Sequence, residues 1–369
     1  MVAVGAIHPE FEDVREIAVL RGGGLGDLLF AMPAIDALAA TYPEARITLL
    51  GTPMATALLA DRTSSIDEVM VLPIASGVRE VPGQDPDDVA TAAFFEPLQG
   101  RFDLAVQVHG GGRNSNPFLL RLGARHTVGT ATEDAESLER WVRYVYYQHE
   151  VLRALEVVGL AGAAVSTLDP VVHVSDEERA AARERLDAGD ATVVAIHPGA
   201  TDPRRRWPEE RFAAVAAERL RHGDVVVLVG DDSDVAAAGE IERLAVASAG
   251  PGSAGRVRNL AGSLSLGELP GVLAECDVMV ADDSGPRHLA VAVGTSTVGI
   301  FWFGNVVNAA PFDRGRHRVE MSFVTRCPVC GADVTQVGWS AQRCEHDPSF
   351  VADVTVEAVL ADVEDLLAP

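Results

Sequence analysis

The sequence predicts an α/β fold built from two parallel-sheet domains. Short apolar strands alternate with helix-like segments along the chain, turns rich in glycine or proline follow several strands, and the second half repeats the pattern of the first. A length of 369 residues exceeds one ordinary core and suits two domains. Because ligands of open α/β sheets bind outside the carboxyl ends of the strands, we expect the two domains to face each other across a ligand-binding cleft.

The first domain is predicted to span residues 1–165. Its predicted strands are Glu16–Arg21, Arg46–Leu50, Asp67–Leu72, Leu104–Val108 and Thr127–Gly129. Apolar residues at helical spacing predict a helix over Asp27–Thr41 and a long one over Trp141–Gly159. The polar segment Ser76–Asp88, with its prolines and glycines, is predicted to be a surface excursion.

The second domain is predicted to span residues 175–350, after a linker at 160–174. Its predicted strands are Thr192–His197, Asp224–Val229, Val278–Ala281 and Thr297–Phe301. Its predicted helices are Asp176–Ala188, Pro208–Arg221, Asp234–Ala247, Leu266–Cys276 and Pro286–Val293. Residues 351–369 contain an amphipathic helix, Thr355–Leu367, which we expect to pack back toward the first domain.

The charge of the chain excludes several classes of partner. A formal net charge of −24, spread over both halves, repels nucleic acid and anionic lipid surfaces. All 30 basic residues are arginine, so any bound phosphate must be held by Arg forks and backbone N–H groups. No apolar stretch approaches 18 residues, and the N-terminus lacks a basic signal-peptide region. We therefore expect a cytoplasmic protein without a transmembrane segment, either free or peripheral at the inner membrane face.

The first chemical motif is the glycine-rich turn Arg21–Asp27, which joins a strand to a helix. A dinucleotide fingerprint would require glycine at position 27, and the Asp27 found there would repel a pyrophosphate. A carboxylate at this place suits a general base that takes a proton from an incoming hydroxyl. It also suits a cap on the following helix, and the turn alone does not separate the two interpretations.

Two further motifs follow predicted strands of the second domain. Residues 197–201 (HPGAT) precede three arginines at 204–206, and this combination predicts a diphosphate pocket, with a solvated charge run as the alternative. At 282–288 (DDSGPRH), the amides of Ser284 and Gly285 suit a phosphate, and Asp283 suits the hydroxyls of a sugar. Helix capping by Asp283 or Ser284 is the competing interpretation there.

A fourth motif places Cys327 and Cys330 two residues apart and is followed by Cys344 and His346. These residue types match a structural zinc site, although the second pair is unusually close for a zinc finger. Redox cysteines, or four unlinked residues in a loop, are the alternatives.

Four segments of the chain begin with RGGGLGDLLFAMPAI, AIHPGATDPRRRWP, VVVLVGDDSDV and NLAGSLSLGELPGVLAECDVMVADDSGPRH. In their order and spacing, along nearly the whole chain, they resemble the heptosyltransferases of glycosyltransferase family 9. The resemblance implies a GT-B fold of two Rossmann-like domains and an inverting transfer from a nucleotide-diphosphate sugar, with ADP-heptose as the expected donor. It implies no required cofactor and no catalytic metal. Asp27 falls on the family's catalytic aspartate.

The resemblance also implies the other binding residues. The diphosphate of the donor is expected at Gly199, Ala200, Thr201, Arg206, Ser284, Gly285 and His288, and the donor sugar at Asp283. Arg206 occupies the position of a family lysine and keeps its charge. The nucleoside is expected near Gly230, Asp231, Asp234, Leu260 and Leu266, and the acceptor near Gly23, Gly24, Gly26, His109 and Arg113.

The implied activity is the transfer of a sugar to an acceptor hydroxyl. The acceptor is expected to be a glycan, a lipid-linked saccharide or a small specialised metabolite. A sugar-nucleotide epimerase of similar fold and a catalytically idle sugar-nucleotide-binding protein are the alternatives. Stabilisation by ADP alone among nucleotides would identify the donor's base, and Asp27→Ala would test the base assignment.

Overall fold

The computed structural model describes residues 4–335 and 343–368 and divides the chain into two compact units, residues 1–171 and 172–369. Each unit contains a six-stranded sheet in which all neighbouring strands are parallel. The predicted α/β fold with two parallel-sheet domains is confirmed. Among the described residues, no helix has both the length and the apolar character needed to cross a bilayer.

The first unit alternates strands and helices around one sheet. Its strands are β1 (Glu16–Leu20), β2 (Arg46–Gly51), β3 (Glu68–Val71), β4 (Leu104–Gln107), β5 (His126–Ala131) and β6 (Arg140–Arg143). Its helices are α1 (Leu25–Thr41), α2 (Pro53–Leu59), α3 (Asp88–Phe95), α4 (Ser115–Leu120) and α5 (Glu150–Gly159). The strand order is β3-β2-β1-β4-β5-β6, so the direction of winding reverses between β1 and β4.

The second unit repeats this arrangement. Its strands are β7 (Val193–His197), β8 (Val225–Leu228), β9 (Val257–Asn259), β10 (Val278–Asp282), β11 (Ser296–Trp302) and β12 (His317–Ser322). Its helices are α6 (Asp176–Leu186), α7 (Glu209–His222), α8 (Val235–Ala249), α9 (Leu269–Ala274), α10 (Gly285–Val293), α11 (Phe303–Ala309) and α12 (Val356–Leu367). The order β12-β11-β10-β7-β8-β9 reverses between β7 and β10.

The central strands are apolar and buried because helices cover both faces of a parallel sheet. In the first unit, β1 runs through Ile17, Val19 and Leu20, each at most 1% exposed. In the second, Val194 and Ile196 of β7 are fully buried in the core. These strands form a rigid base that positions the polar residues beyond their carboxyl ends.

The predicted long helix over Trp141–Gly159 is wrong. Residues 140–143 instead form the edge strand β6, in which Arg140 pairs with Val128 and Arg143 with Ala131 of β5. Aromatic and β-branched residues favour such a half-exposed strand. The helix begins only at Glu150, after the ring of His149 has accepted a hydrogen bond from the N–H of Val151.

The terminal helix α12 packs on α7 and on strands β10, β11 and β12. Its Val359 and Val363 are fully buried in the core of the second unit. These contacts show that the helix belongs to the second unit. Its packing toward the first domain stays a prediction.

Candidate functional site

The candidate site in each unit lies where the strand order reverses. In open parallel sheets, the carboxyl ends of the two strands flanking this reversal leave a crevice that binds ligands. In the first unit these are the ends of β1 and β4, followed by the turn 21–27 and by His109. In the second unit they are the ends of β7 and β10, followed by His197–Thr201 and by Asp283–His288.

The turn 21–27, called the glycine turn below, requires glycine at two positions. A Cβ on Gly22 would lie 2.1 Å from the carbonyl oxygen of Val78 and 3.1 Å from Cε1 of His109. Gly23 has a φ of +92°, and a Cβ there would lie 2.3 Å from Oδ2 of Asp27. The glycines therefore let the chain fold closely over the Asp27 carboxylate.

Asp27 is fixed by contacts to both of its carboxylate oxygens. Oδ2 accepts a 2.8 Å hydrogen bond from the N–H of Gly24, the N-cap of α1. Oδ1 accepts a 2.6 Å bond from Nη2 of Arg21. The capping interpretation is thus confirmed, but 43% of the Asp27 side chain stays exposed. Because each carboxylate oxygen has two lone pairs, a cap of this kind still accepts a further hydrogen bond.

A buried charge network lies behind Asp27. The guanidinium of Arg21 is buried, donates to the carbonyl oxygens of Asp27 and Val108, and pairs at 3.3 Å with Oε2 of Glu150. Glu150 also pairs with the buried Arg153. Although burial works against it, the charges of Asp27 and Glu150 raise the pKa of Arg21. Arg21 is therefore a permanent cation that orients Asp27.

His109 and Arg113, expected on the acceptor side, differ in their positions. His109 lies beside the glycine turn, and its Nε2 contacts the carbonyl oxygen of Gly77 at 3.1 Å. Burial and the Arg21 charge lower the pKa of His109, which favours a neutral ring. Arg113 is exposed and pairs with Asp134 at 3.5 Å.

The residues after β7, β8 and β10 converge in the second unit and are called the strand-end cluster: residues 197–206, 230–234 and 282–288. Arg206 is exposed, and its Nε donates a 2.8 Å bond to the carbonyl oxygen of Ala200. Gly199 is buried, whereas Thr201 is exposed at the surface of the turn. An exposed guanidinium is thus hydrogen-bonded to a turn of small residues, and the diphosphate pocket at this place stays a prediction.

Polar contacts among three side chains connect the three segments of this cluster. Nε2 of His197 contacts Oδ2 of Asp234 at 3.3 Å, and Nδ1 of His197 contacts Oγ of Ser284 at 3.0 Å. A Cβ on Gly199 would lie 2.3 Å from Oδ1 of Asp234. Although burial opposes it, the hydrogen bond from His197 lowers the pKa of Asp234, so this carboxylate is ionised. Asp234 therefore packs beneath the turn His197–Thr201 and stabilises it from inside the protein.

The predicted nucleoside residues lie around the end of β8. Leu260 donates its N–H to the carbonyl oxygen of Leu228 at 2.8 Å, and Gly262 donates to Gly230 at 3.0 Å. Asp231 is exposed and Leu266 is half-buried. Because the Asp234 carboxylate turns inward, the ribose contact stays a prediction for Gly230 and Asp231.

Asp283 is a buried carboxylate of the cluster with three side-chain donors. It is 3% exposed and accepts hydrogen bonds from His288 Nε2 at 3.1 Å, Arg205 Nη1 at 3.2 Å and Asn305 Nδ2 at 2.7 Å. Burial alone would raise the pKa of Asp283. The His288 bond and the charges of Arg205 and Arg287 instead hold it well below its usual range.

Sequence reasoning missed two charged partners: Arg205, which pairs with Asp283, and Glu150, which pairs with Arg21. Arg205 sits beside the predicted Arg206, so the run of three arginines contained the signal. Glu150 lies 129 residues from Arg21, and no local pattern connects them.

The ligand atoms of the fourth predicted group, Cys327, Cys330, Cys344 and His346, all lie within 4.8 Å of one another.

Comparison with known proteins gives a consistent result. Residues 92–319 match the family model described as glycosyltransferase family 9 (heptosyltransferase). The chain is 23% identical over 370 residues to lipopolysaccharide heptosyltransferase 2 of Salmonella typhimurium, covering 96% of this chain and 99% of that protein. Its fold resembles E. coli ADP-heptose LPS heptosyltransferase II, with a TM-score of 0.72 and 20% identity over 96% of this chain and 98% of the other.

A second solved structure also resembles the chain. E. coli heptosyltransferase WaaC with ADP-2-deoxy-2-fluoro heptose matches with a TM-score of 0.62 and 18% identity, over 95% of this chain and 99% of the other. At this identity, the likeness shows a shared fold.

Proposed function

The chain belongs to glycosyltransferase family 9, the heptosyltransferases, and from that premise we propose that it transfers heptose from ADP-heptose to an acceptor hydroxyl, with inversion and without a catalytic metal. The solved relatives are named for ADP-heptose or contain an analogue of it, which supports this donor. The fold alone does not specify the chemistry, so the residues of the two clusters carry the remaining argument.

The observation that carries the proposal is the exposed carboxylate of Asp27 at the carboxyl end of β1. Arg21 and the Gly24 amide fix its orientation, and nearly half of the side chain stays accessible. A fixed carboxylate within reach of a bound hydroxyl suits a general base. We assign it the removal of the acceptor proton, with Gly23, Gly24, Gly26 and His109 beside the acceptor.

The strand-end cluster suits the donor. The exposed Arg206, the Thr201 hydroxyl and the amides of Ser284 and Gly285 at the start of α10 supply donors for a diphosphate. Asp283, which is buried and contacts His288, is assigned to the donor sugar, and His288 is assigned to the diphosphate. These groups stabilise the charge of the leaving diphosphate, which is the work that a divalent metal does in other transferases.

The proposed transfer conserves atoms and charge. The acceptor oxygen forms a bond to the anomeric carbon of heptose as its proton passes to Asp27. The bond between that carbon and the diphosphate oxygen breaks, and its electron pair leaves with ADP. Because attack and departure take place on opposite sides of the carbon, the configuration inverts.

The acceptor is proposed to be a saccharide hydroxyl on a lipid-linked glycan, since relatives are named lipopolysaccharide or lipooligosaccharide heptosyltransferases. The glycine turn offers little charge for an anionic acceptor: Arg21 is buried and Arg113 pairs with Asp134. A weakly charged glycan or a small specialised metabolite therefore fits this surface better than a heavily phosphorylated one. The expected location, cytoplasmic or at the inner membrane face, follows from this activity.

Incubation with ADP-heptose and a panel of lipid-core, neutral glycan and small-metabolite acceptors tests the proposal. We expect mass spectrometry to detect an acceptor carrying one heptose and a stoichiometric release of ADP. UDP- and GDP-sugars serve as donor controls, and added Mg²⁺ or Mn²⁺ should not raise the rate. Conversion of the donor to an isomer of equal mass would favour an epimerase, and failure of every nucleotide to bind would overturn the proposed donor site.

A further inference from the structure

The strongest group outside the proposed active site lies after β12. Three of the four cysteines of the chain, Cys327, Cys330 and Cys344, converge there with His346, and all four cysteines are free thiols. Residues 336–342, between the two halves of the group, lie outside the described residues. Three sulfurs and one imidazole form a donor set that Zn²⁺ prefers.

The backbone around the first two cysteines is shaped to hold both sulfurs on one side. The N–H of Gly331 donates to the carbonyl oxygen of Cys327, and the N–H of Cys327 donates to Ala332, both at 2.8 Å. Gly331 closes the turn with a φ of +73°, which favours glycine. These two hydrogen bonds and the left-handed glycine hold residues 327–331 in one tight turn.

We propose that Cys327, Cys330, Cys344 and His346 form a closed zinc site. Tetrahedral Zn²⁺ with Zn–S bonds of about 2.3 Å places its sulfurs about 3.8 Å apart. The ligand atoms of this group already lie within 4.8 Å of one another, so metal binding requires only small shifts. A disulfide would use two of the four residues and leave the convergence of the others unexplained. Four protein ligands leave no open position, so the site is structural.

The segment next to this group contacts the strand-end cluster. The N–H of Phe350 donates to the carbonyl oxygen of Arg204 at 2.6 Å, and Oγ of Ser349 donates to that of Arg206 at 2.6 Å. Arg343 lies 3.8 Å from Asp202. By fixing residues 343–350, the metal supports the backbone that presents Arg206. This second part of the inference rests on the proposed function, because it treats Arg206 as a ligand of the donor.

Metal analysis of the purified full-length protein tests the site. We expect one zinc per chain by inductively coupled plasma mass spectrometry, and loss of that zinc in Cys330→Ser and His346→Ala. Cys276→Ala is the matched control, because Cys276 is buried at the end of α9 and donates to the Val272 carbonyl. It should retain the zinc. Absence of any metal, a Cys327–Cys330 disulfide, or a metal retained by both ligand variants would overturn the site. Iron in place of zinc would overturn the assignment of the metal.

A cobalt-substituted wild-type protein keeps the test informative if the variants do not fold. Tetrahedral Co²⁺ with three sulfur ligands should show intense thiolate charge-transfer bands and d–d bands near the red end of the visible spectrum. A spectrum of octahedral Co²⁺ would contradict the assignment.

ADP binding then separates the two parts of the inference. We expect zinc-free Cys330→Ser to bind ADP several-fold more weakly than the wild type and Cys276→Ala to bind it equally well. Unchanged ADP binding in the zinc-free variant would overturn the support of Arg206. A wild type that holds zinc but does not bind ADP would contradict the proposed function and leave the metal site standing.

Discussion

The glycine turn of the first unit and the strand-end cluster of the second lie at equivalent places in their sheets, yet they treat their carboxylates differently. In the glycine turn the arginine is buried and the carboxylate of Asp27 is half-exposed. In the strand-end cluster, Asp283 and Asp234 are buried, Asp231 is exposed, and Arg206 supplies exposed positive charge.

This difference matches two kinds of chemistry. A base must meet a proton donor from outside, so its carboxylate stays accessible. A diphosphate site needs exposed positive charge, and here the buried carboxylates of Asp234 and Asp283 also contact His197, His288 and Arg205. We therefore expect substitutions in the first region to affect the rate and those in the second to affect stability or donor affinity.

The largest effect is expected from Asp27→Asn. The amide oxygen still accepts from Gly24, so the helix cap persists, but the side chain no longer takes a proton. We expect kcat to fall about 10²- to 10⁴-fold. The change in the free energy of unfolding should be much smaller than the increase in activation free energy that this fall in kcat represents. Asp36→Asn on the same helix α1 is the control and should keep its rate. A wild-type rate for Asp27→Asn would remove the base assignment.

Asp283→Asn should instead destabilise the second unit. Loss of this carboxylate leaves the fully buried Arg287 without a nearby counter-charge, at a cost of about 3–5 kcal/mol. Denaturant unfolding at pH 7 measures the change. Asp231→Asn, exposed and able to keep its cap, should cost less than about 1 kcal/mol. Equal midpoints for the two variants would show that the buried network is not needed for stability.

Arg206→Ala should weaken donor binding without unfolding the protein, because its guanidinium is exposed. Loss of one charge-assisted hydrogen bond costs about 1.5–3 kcal/mol, or roughly 10- to 100-fold in the dissociation constant for ADP. Calorimetric titration measures this constant, Arg206→Lys should recover most of the affinity, and the exposed Arg221→Ala is the control. If ADP binds Arg206→Ala as tightly as the wild type, the diphosphate lies elsewhere.

His317 gives a dependence of stability on pH. Burial and the charges of Arg287 and Arg316 lower the pKa of His317 from 6.5 to about 4. Because the unfolded chain binds this proton at a higher pH, its contribution to stability is lost as the pH falls from 6.5 toward 4, by about 2–3 kcal/mol. His317→Gln should flatten this part of the stability curve, whereas the exposed His222→Gln should not. Parallel curves for the wild type and His317→Gln would refute the assignment.

Local patterns predicted most of the fold and the positions of the chemical motifs. Strand β1, the glycine turn and helix α1 follow one another because apolar alternation, glycine and helical spacing act over a few residues. Residues 141–149 were wrongly assigned to a helix because aromatic residues with helical spacing also suit an edge strand, and only pairing with β5 decides between the two.

The electrostatic partners could not be predicted in the same way. The pairing of Glu150 with Arg21 and the pairing of Asp283 with Asn305 depend on how separate elements pack. The inward turn of Asp234 depends on the space that Gly199 and Gly230 leave beside it. Sequence reasoning therefore selected candidate residues, but it did not show which of them are buried contacts within the protein and which are exposed.

The configuration of the product tests the central proposal most directly. Nuclear magnetic resonance of the heptosylated acceptor reports the anomeric configuration of the new bond through its one-bond carbon–proton coupling. The account predicts the configuration opposite to that of the heptose in the donor, formed by wild type and not by Asp27→Asn. A product that retains the donor's configuration would contradict direct attack assisted by Asp27.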